Sequence, residues 1–305
     1  MSNDTYQAVF DQRAAETSSV IAKRPPPVPR ILRLIQLGFR IGGTLSPKLA
    51  GRVAYKLWFT PTRFSTPASE QDALKSADCV YRKINGVNIA TYHWGQSGPT
   101  VLLAHGWSGR GTQLGAFVEP LINTGFRVLS FDAPAHGSSS GKQTTLYEIA
   151  DAMLALNHQY GPFDSVITHS FGGPCLAVAI QRGLNTSSVV SISPPARVAA
   201  LVDKFADTLA IPEKAVKDFV LRFEESFGKN IFEQASMVNN VRDLDMPALV
   251  IHDEDDADIP WRDGQAVAQA WKNAIFIKTR TLGHRRILRD ALIIETAVDF
   301  IKSKN

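Results

Sequence analysis

The sequence predicts an α/β protein built on a mostly parallel sheet that is covered by helices on both faces. After Phe64, short apolar segments typical of buried strands alternate with longer amphipathic segments typical of helices. This alternation favours parallel strands joined by crossover helices. With 305 residues, 44% of them hydrophobic, the chain is long enough to bury one substantial core.

The excess of basic over acidic residues is confined to the N-terminal segment of the chain. The net charge is +4, but residues 1–63 contribute ten Lys and Arg against three acidic residues, whereas the remainder carries 23 basic and 26 acidic residues. A slightly acidic body argues against a nucleic-acid surface, and no zinc-finger, RNA-recognition or basic-zipper pattern occurs. Cys79 and Cys175 match no metal or redox spacing, so neither a disulfide nor a zinc site is expected.

Residues 1–63 are expected to form a flexible tail and a basic amphipathic helical arm. A polar stretch to Arg24 is followed by a stiff proline-rich spacer at residues 25–29. The next segment predicts a helix over residues 30–42, with one apolar face formed by Ile31, Leu34, Ile35 and Phe39. A second helix is predicted from Ser46-Pro47 to about Trp58, because serine caps helices well and proline suits the first helical position.

Three uses of this helical pair are open. Its apolar face can pack on the rest of the protein, which is the usual use of such a face. The pair can also narrow access to an active site, or residues 30–58 can make a peripheral contact with an anionic membrane. No secretion signal is evident, so a cytoplasmic protein, at most peripheral to a membrane, is expected.

Residues 64–305 are expected to form one domain with eight strands. Asn85-Gly86 between two apolar runs predicts an antiparallel hairpin at the start of the sheet. The predicted strands are Cys79–Ile84, Val87–Trp94, Val101–Ala104, Arg127–Phe131, Ser165–Thr168, Ser188–Ser191, Ala248–His252 and Ile275–Thr281. The predicted helices between and after these strands are Gln113–Asn123, Leu146–Tyr160, Phe171–Gln181, Asp263–Trp271 and Arg289–Ile301.

The alternation stops between Ala196 and Met246. Two helical stretches in this region, Arg197–Leu209 and Glu213–Phe227, predict a helical lid inserted at about residues 196–246, after the sixth strand. Its aliphatic and aromatic residues are expected to build the core of the lid, and some of them to line the substrate pocket.

A serine stands where the fifth strand meets a glycine-rich helix start, in the run VITHSFGG at residues 166–173. A sharp turn there lifts the hydroxyl of Ser170 out of the sheet, and the helix N-terminus favours developing negative charge. Serine needs a histidine to take its proton and a carboxylate to orient that histidine. Both follow downstream: an acidic run that includes Asp255 and Asp256 comes after the seventh strand, and His284 follows the last strand.

These segments resemble the motifs of the α/β-hydrolase superfamily. VITHSFGG resembles the nucleophile elbow G-x-S-x-G, with Thr168 at the first glycine position, where Gly172 and Gly173 are expected to give it room. The run HDEDDADIP at residues 252–260 resembles H-G-x-x-D-x-x-V-P, which selects Asp256 and leaves Asp255 as its main rival. HGWSG at residues 105–109 resembles the oxyanion loop H-G-x-x-G, and FDAPAHGSS at residues 131–139 resembles D-x-x-G-H-G-x-S.

The resemblance covers Cys79 to the C-terminus and implies an eight-stranded, mostly parallel α/β-hydrolase sheet flanked by helices, with a small helical lid. The N-terminal helical arm lies outside the resemblance and is expected from the pattern of residues 30–58 alone. The resemblance also implies a bacterial-esterase-like serine hydrolase in which Ser170 attacks the carbonyl of a small-molecule ester or thioester, His284 carries the proton and Asp256 orients His284. Backbone N–H groups of two residues would hold the oxyanion. These residues are Trp107 and Phe171, while Thr168, Gly172, His105 and Gly106 would shape the elbow and the loop.

The implied reaction requires no cofactor and no metal. Other serine-dependent reactions on the same fold stay open, namely those of thioesterases, C–C hydrolases, peptidases and acyltransferases, as does a non-catalytic binding protein that keeps the hydrolase fold. Several polar residues are interpreted as structural. His93, His158, His169 and His252 are expected to be packing or surface residues, and Asp253 and Asp258 to cap the next helix or face solvent.

Overall fold

All eight predicted strands are present and form one sheet. A computed structural model describes Gln7, Phe10 and residues 29–304 of the chain. The strands are β1 (Asp78–Ile84), β2 (Val87–Trp94), β3 (Thr100–Ala104), β4 (Arg127–Phe131), β5 (Phe163–His169), β6 (Thr186–Ile192), β7 (Ala248–Asp253) and β8 (Ala274–Thr279). Their order in the sheet is β1-β2-β4-β3-β5-β6-β7-β8.

The sheet is mostly parallel, which confirms the predicted fold class. Only β2 runs antiparallel to its neighbours β1 and β4, and every other neighbouring pair is parallel. Asn85 and Gly86, between β1 and β2, have φ values of 48° and 83°. Two positive φ values in succession are what a tight hairpin turn requires, so the predicted hairpin forms at the edge of the sheet.

Helices cover both faces of the sheet. Outside the segment between β6 and β7, they are α1 (Arg30–Leu45), α2 (Pro47–Trp58), α3 (Gln71–Ser76), α4 (Val118–Asn123), α5 (Leu146–Tyr160), α6 (Gly172–Gln181) and, after β7, α11 (Trp261–Ala270), α12 (Gly283–Arg286) and α13 (Ala291–Lys302). Neighbouring strand residues point to opposite faces. Leu102 and Val166 therefore pack with α5, α6 and α11, whereas Leu103 and Ile167 pack with α4 and α13.

Two predicted helices have different starts, for local reasons. The segment predicted as helix from Gln113 begins as a 3₁₀ helix, Gly111–Phe117, and only Val118–Asn123 is α-helical. The last helix begins at Ala291, because the Asp290 carboxylate accepts hydrogen bonds from the Leu292 and Ile293 N–H groups and so caps it.

Part of the predicted flexible tail contacts the sheet. The amide of Gln7 exchanges two hydrogen bonds with the backbone of Lys278 in β8, each 3.0 Å long. Phe10 is buried in the core on the α13 side of the sheet. The burial of one aromatic side chain stabilises this contact by about 2 kcal/mol. The other residues of the tail and most of the proline-rich spacer lie outside the described residues.

Four helices stand between β6 and β7, where a helical insertion is predicted. They are α7 (Val198–Leu209), α8 (Glu213–Phe227), α9 (Ile231–Ala235) and α10 (Met237–Asn240). The N-terminal pair, α1 and α2, packs on this insertion. Phe39 of α1 and Ala54 of α2 share a buried cluster with Val202 of α7 and Phe219 and Phe223 of α8.

The contact between α1–α2 and the insertion is made by small and aromatic residues. Gly43 of α1 and Ala50, Gly51 and Ala54 of α2 are buried against it, together with Phe39. Two hydrogen bonds add to it: the Gln36 amide donates to the Thr208 carbonyl at 2.9 Å, and the Tyr55 hydroxyl donates to Ser226 Oγ at 2.7 Å.

The apolar face predicted for the first helix is divided by this packing. Phe39 turns towards the insertion, but Ile31, Leu34 and Ile35 face solvent. The reason is that small side chains let the helix backbones approach closely, and the large aliphatic side chains then stand on the opposite side.

The close approach at Gly51 is testable against a matched glycine in the neighbouring helix. A Cβ at Gly51 would lie 2.8 Å from Asp218 Cβ and 2.9 Å from the Ala215 carbonyl oxygen, whereas one at Gly38 would meet nothing within 4 Å. We expect Gly51→Ala to lower the free energy of unfolding by about 1–3 kcal/mol. Gly38→Ala should raise it by about 0.5–1 kcal/mol, because alanine favours the helix. Urea unfolding followed by circular dichroism measures both, and equal effects would contradict the packing.

Candidate active site

Ser170 occupies a strained turn between β5 and α6. Its φ is 51°, in the left-handed region that non-glycine residues rarely adopt. Its backbone N–H donates to the Ile192 carbonyl at the end of β6. A Cβ on Gly172 would lie 2.8 Å from the carbonyl oxygens of both Ala104 and His105. The absence of that side chain lets the first turn of α6 pack against the end of β3, which allows the sharp turn at Ser170.

Thr168, at the position where the resembling motif has glycine, is accommodated across the sheet. It is fully buried in β5, and its hydroxyl donates a hydrogen bond to Ser191 Oγ in β6 at 3.0 Å. Gly173 leaves space around this pair, since a Cβ there would lie 3.1 Å from Ser191 Oγ. The additional atoms of threonine are thus held between two strands.

Asp256 and His284 are brought together at the carboxyl edge of the sheet. Asp256 Oδ2 lies 2.7 Å from His284 Nδ1, and the Asp256 side chain has no exposed surface. Its other oxygen, Oδ1, accepts the N–H groups of Asp258 and Ile259, both at 2.8 Å. Asp255, the rival in the sequence, contacts the Thr281 N–H instead. Asp256 is therefore the carboxylate that contacts His284.

The environment of Asp256 keeps its carboxylate ionised. Burial opposes ionisation, but hydrogen bonds from His252 and His284 outweigh it and hold the pKa of Asp256 well below its ordinary value. An ionised carboxylate on Nδ1 keeps the proton on that nitrogen and leaves Nε2 of His284 able to accept one.

His169 connects the serine turn to His284. Its Nε2 lies 2.9 Å from the His284 carbonyl oxygen, so its N–H donates there, and the two rings lie 4.6 Å apart between centroids. Burial lowers the pKa of His169 to about 3. Within the described residues no hydrogen bond joins the Ser170 hydroxyl to the His284 ring. Such bonds often tighten only when a substrate is bound.

Two histidines expected to be packing or surface residues thus lie against the site. Besides His169, the fully buried His252 places Nε2 3.0 Å from the Ile259 carbonyl and 3.3 Å from Asp256 Oδ2. The signal available in the sequence is their spacing: one immediately precedes Ser170, and the other stands four residues before Asp256.

Asp253 is fully buried, which contradicts the expectation of a helix cap or a solvent-facing residue. Its carboxylate accepts hydrogen bonds from the Thr279 hydroxyl at the end of β8 and from the Asp255 N–H. It also accepts the N–H groups of Leu282 and Gly283, at 3.1 and 2.8 Å. Because it satisfies the backbone of the turn before His284, Asp253 positions that turn. Asp258 is exposed, as expected.

The loop at residues 105–109 lies directly beside Ser170. A Cβ on Gly106 would lie 2.9 Å from Ser170 Cβ, so only glycine lets the loop come this close. The rings of Trp107 and Phe171 meet edge to face at 5.6 Å. In the part of the chain that the structure describes, the backbone N–H groups of Trp107 and Phe171 have no protein acceptor. Both amides are thus available to bind an anion.

Two buried histidines hold this loop against the loop that follows β4. His105 lies 2.7 Å from the Gly106 carbonyl through Nδ1 and accepts the Ala133 N–H on Nε2. His136 contacts the Pro134 carbonyl through Nδ1 and accepts the Ser108 N–H on Nε2. Each ring is therefore neutral with its proton on Nδ1. Burial lowers the pKa of His105 to about 4 and that of His136 to about 3.

Arg63 and Asp132 complete the support of the loop after β4. The Arg63 guanidinium donates to the carbonyls of four loop residues, Ala135, Gly137, Ser139 and Gly141. The buried Asp132 carboxylate accepts the N–H groups of Gly111 and Ser138 and the Tyr92 hydroxyl. Arg63 belongs to the predicted N-terminal arm, yet its side chain supports the loop after β4.

An apolar cleft adjoins Trp107 and Phe171. It is narrow, with a volume of about 40 Å³. Its walls come from the end of α2 and the residue after it (Trp58, Phe59), from the start of α5 (Leu146, Tyr147) and from the insertion (Val198, Phe223, Phe227, Ile231, Phe232, Ala235), with Thr144 and Thr145 as the polar members. No charged side chain lines it among the described residues.

The described residues contain neither a metal-binding cluster nor a membrane-spanning helix. No group of three or more His, Cys, Asp and Glu side chains is arranged to hold a metal ion. No helix within residues 29–304 is both long and apolar enough to span a bilayer.

The chain belongs to the α/β hydrolase family. Residues 101–295 match the sequence model of the family described as "Alpha/beta hydrolase family". This match covers β3 to α13 and includes the serine turn, Asp256 and His284. No curated protein has a significantly similar sequence.

Solved structures share the fold at low sequence identity. A putative lipase from Acinetobacter baumannii has a TM-score of 0.59 and 16% identity, over 79% of this chain and 98% of that one. An esterase from Rhodococcus has a TM-score of 0.58 and 16% identity, over 75% and 100%. The thioesterase domain from the curacin biosynthetic pathway has a TM-score of 0.56 and 14% identity, over 74% and 99%. These likenesses show the architecture.

Because three buried histidines are neutral, we expect the protein to lose stability in acid at pH values well above those at which carboxylates titrate. His105, His136 and His169 have folded pKa values of about 4, 3 and 3, against 6.5 in the unfolded chain. Below pH 6.5 only the unfolded chain takes up protons at these sites, so stability falls as the pH falls. The expected slope is about 1.4 kcal/mol per pH unit for each histidine. The lowered pKa of Asp256 stabilises the fold above the unfolded pKa of 3.8, and this contribution is lost only as the pH falls below that value.

Urea unfolding at pH 7, 6 and 5 measures this slope. His136→Gln should remove about one third of it. His158→Gln should leave it unchanged, because that side chain is exposed. A stability that is flat between pH 7 and pH 5, or a slope unaffected by His136→Gln, would contradict the assignment.

Proposed function

We propose that the protein is a serine hydrolase that cleaves a carboxylic ester through an acyl-enzyme intermediate. The observation that carries the proposal is the 2.7 Å hydrogen bond between Asp256 and His284, beside a serine held at positive φ in a strand-to-helix turn. A buried ionised carboxylate, a histidine with a free Nε2 and a strained serine make up the machinery of acyl transfer.

In this mechanism Ser170 Oγ attacks the ester carbonyl and gives its proton to His284 Nε2. Asp256 stabilises the imidazolium, and the N–H groups of Trp107 and Phe171 donate to the oxyanion. The protonated His284 then gives its proton to the leaving alcohol, and the acyl group stays on Ser170. Water attacks the acyl-enzyme with His284 again as the base, which releases the acid and restores the serine.

The cleft supports an apolar acyl group as the substrate moiety. It adjoins both proposed oxyanion residues and has no charged lining residue. A charged acyl chain would lose its hydration there without gaining a partner. Helices α7–α10 act as a lid in this proposal, because Phe223, Phe227 and Phe232 form a wall of the cleft. The similarity to a lipase and an esterase fits ester hydrolysis, and that to a thioesterase domain makes a thioester the second candidate.

Covalent labelling tests the nucleophile. A fluorophosphonate probe should modify Ser170 in the folded protein, because the probe mimics the carbonyl and is attacked by the activated hydroxyl. Ser170→Ala should abolish labelling and lower kcat for a p-nitrophenyl ester by at least ~10³-fold. His284→Ala should do the same, and Asp256→Asn should lower kcat by about 10³- to 10⁴-fold. Peptide mapping by mass spectrometry identifies the labelled residue.

The matched control is Ser187→Ala, which removes an exposed serine outside the site. Labelling of this variant should equal that of the wild type. A folded wild type that is not labelled would favour the non-catalytic binding protein, and labelling that survives His284→Ala would overturn the triad.

A panel of esters tests the acyl preference. We expect p-nitrophenyl esters of unbranched aliphatic acids to react with higher kcat/KM than the hemisuccinate ester, whose acyl group carries a carboxylate. The expected difference is at least ~10-fold, because a buried unpaired charge costs more than 1.4 kcal/mol. Matched thioesters belong to the same panel. A preference for the hemisuccinate would place the acyl group outside the cleft.

A further inference from the structure

The helical pair α1–α2, which we call the hairpin, carries most of the exposed large apolar side chains among the described residues. The described residues include twelve large hydrophobic side chains that are exposed, and nine of them lie on the hairpin. They are Ile31, Leu34, Ile35, Leu37, Ile41, Leu45, Leu49, Val53 and Leu57, with exposures from 36% to 81%. Exposed apolar residues concentrated in this way mark an interaction surface rather than ordinary scatter.

These exposed side chains do not belong to a loosely attached segment. The opposite side of the hairpin is fixed to the insertion by the buried Phe39, Gly43 and Ala54 and by the hydrogen bonds of Gln36 and Tyr55. A surface helix normally turns its large apolar residues inwards. Here small and aromatic residues face the protein and the large aliphatic ones face outwards, so the outer face is left for a partner.

The charges of the hairpin specify the kind of partner. Its six basic residues, Arg30, Arg33, Arg40, Lys48, Arg52 and Lys56, are all exposed. The sequence contains no Asp or Glu between Glu16 and Glu70, so nothing within the hairpin neutralises them. Basic residues bordering a large aliphatic face are typical of helices that lie in the interface of an anionic bilayer. A second copy of the same face would bring like charges together, which disfavours self-association.

We propose that the hairpin docks on an anionic lipid surface, with its aliphatic side chains among the acyl chains and its arginines and lysines at the headgroups. The occupant is a bilayer rather than a soluble anion, because nine aliphatic side chains need an apolar phase. The hairpin also leads into the apolar cleft, since Trp58, its last residue, and Phe59 line the wall. Docking therefore places the cleft beside the membrane surface, where amphiphilic acyl compounds concentrate.

Vesicle sedimentation with the full chain tests the docking. The probes are phosphatidylcholine vesicles and vesicles of phosphatidylcholine with 30% phosphatidylglycerol. We expect binding to the anionic vesicles to be at least ~10-fold stronger and to weaken at 0.5 M NaCl, because salt screens the headgroup charge. The triple variant Leu34→Glu, Ile41→Glu, Leu49→Glu should lose binding. Arg33→Gln, Arg40→Gln and Arg52→Gln together should weaken it ~100-fold, at about 5-fold per residue.

Tyr81→Glu is the matched control, because it adds the same charge at an exposed apolar site on the edge strand β1. Its vesicle binding should equal that of the wild type. The Leu34, Ile41 and Leu49 variant should keep its thermal midpoint and its activity on a soluble ester, since these side chains are exposed and do not line the cleft. That activity separates the docking from the proposed hydrolysis, because either can fail alone.

Three results would overturn the docking. The first is a wild type that does not sediment with anionic vesicles, and the second is a triple glutamate variant that sediments as well as the wild type. The third is a wild-type oligomer that the triple variant converts into monomers without any vesicle binding in either protein. That result would make the face a protein–protein interface.

Discussion

The close approach of three backbone segments around Ser170 is the constraint on which the rest of the site depends. Gly172 lies against the carbonyl oxygens at the end of β3, Gly106 lies against Ser170 itself, and Gly173 lies beside Ser191 of β6. A side chain at any of these positions would separate the serine turn from its neighbours. The approach is possible because parallel strands end at one edge of the sheet, so the loops that follow them meet there. Ser170, Trp107 and Asp256 lie on such loops, and His284 lies in the short helix α12 that follows β8.

Polar side chains then supply hydrogen-bond partners to the backbone of these loops. His105 and His136 each satisfy one N–H and one carbonyl, Asp253 satisfies the turn before His284, and Arg63 satisfies four carbonyls of one loop. An unpaired buried backbone group is costly, so such partners are needed wherever a loop lacks regular hydrogen bonding. The site therefore rests on neutral histidines, a buried aspartate and an arginine that lie outside the proposed Ser170–His284–Asp256 machinery.

Sequence patterns predicted the elements well and the supporting contacts poorly. The eight strands follow from apolar periodicity. The choice of Asp256 over Asp255 came from a family motif, and the structure gives the physical basis of that choice: Asp256 contacts His284 and Asp255 does not. Asp253 was misread because a carboxylate that precedes a helix often caps it. Here β8 and the turn after it bring three donors to Asp253, and the Asp255 N–H is the fourth. The position of His169 against His284 depends on a partner 115 residues away in sequence. His252 lies four residues before Asp256, and this spacing was not read as a contact.

The sequence by itself determined the order of strands and helices, the Ser-Asp-His order and the amphipathic, basic character of residues 30–58. Periodicity is a local property, so these features need no knowledge of neighbours. Only the tertiary structure decided which face of that helical pair is buried. Small residues such as Gly43 and Gly51 fit against Pro212 and Asp218 of the insertion, and this contact turns Leu34 and Leu49 towards solvent. Whether an apolar face becomes core or surface depends on what it meets, and no single segment of sequence contains that information.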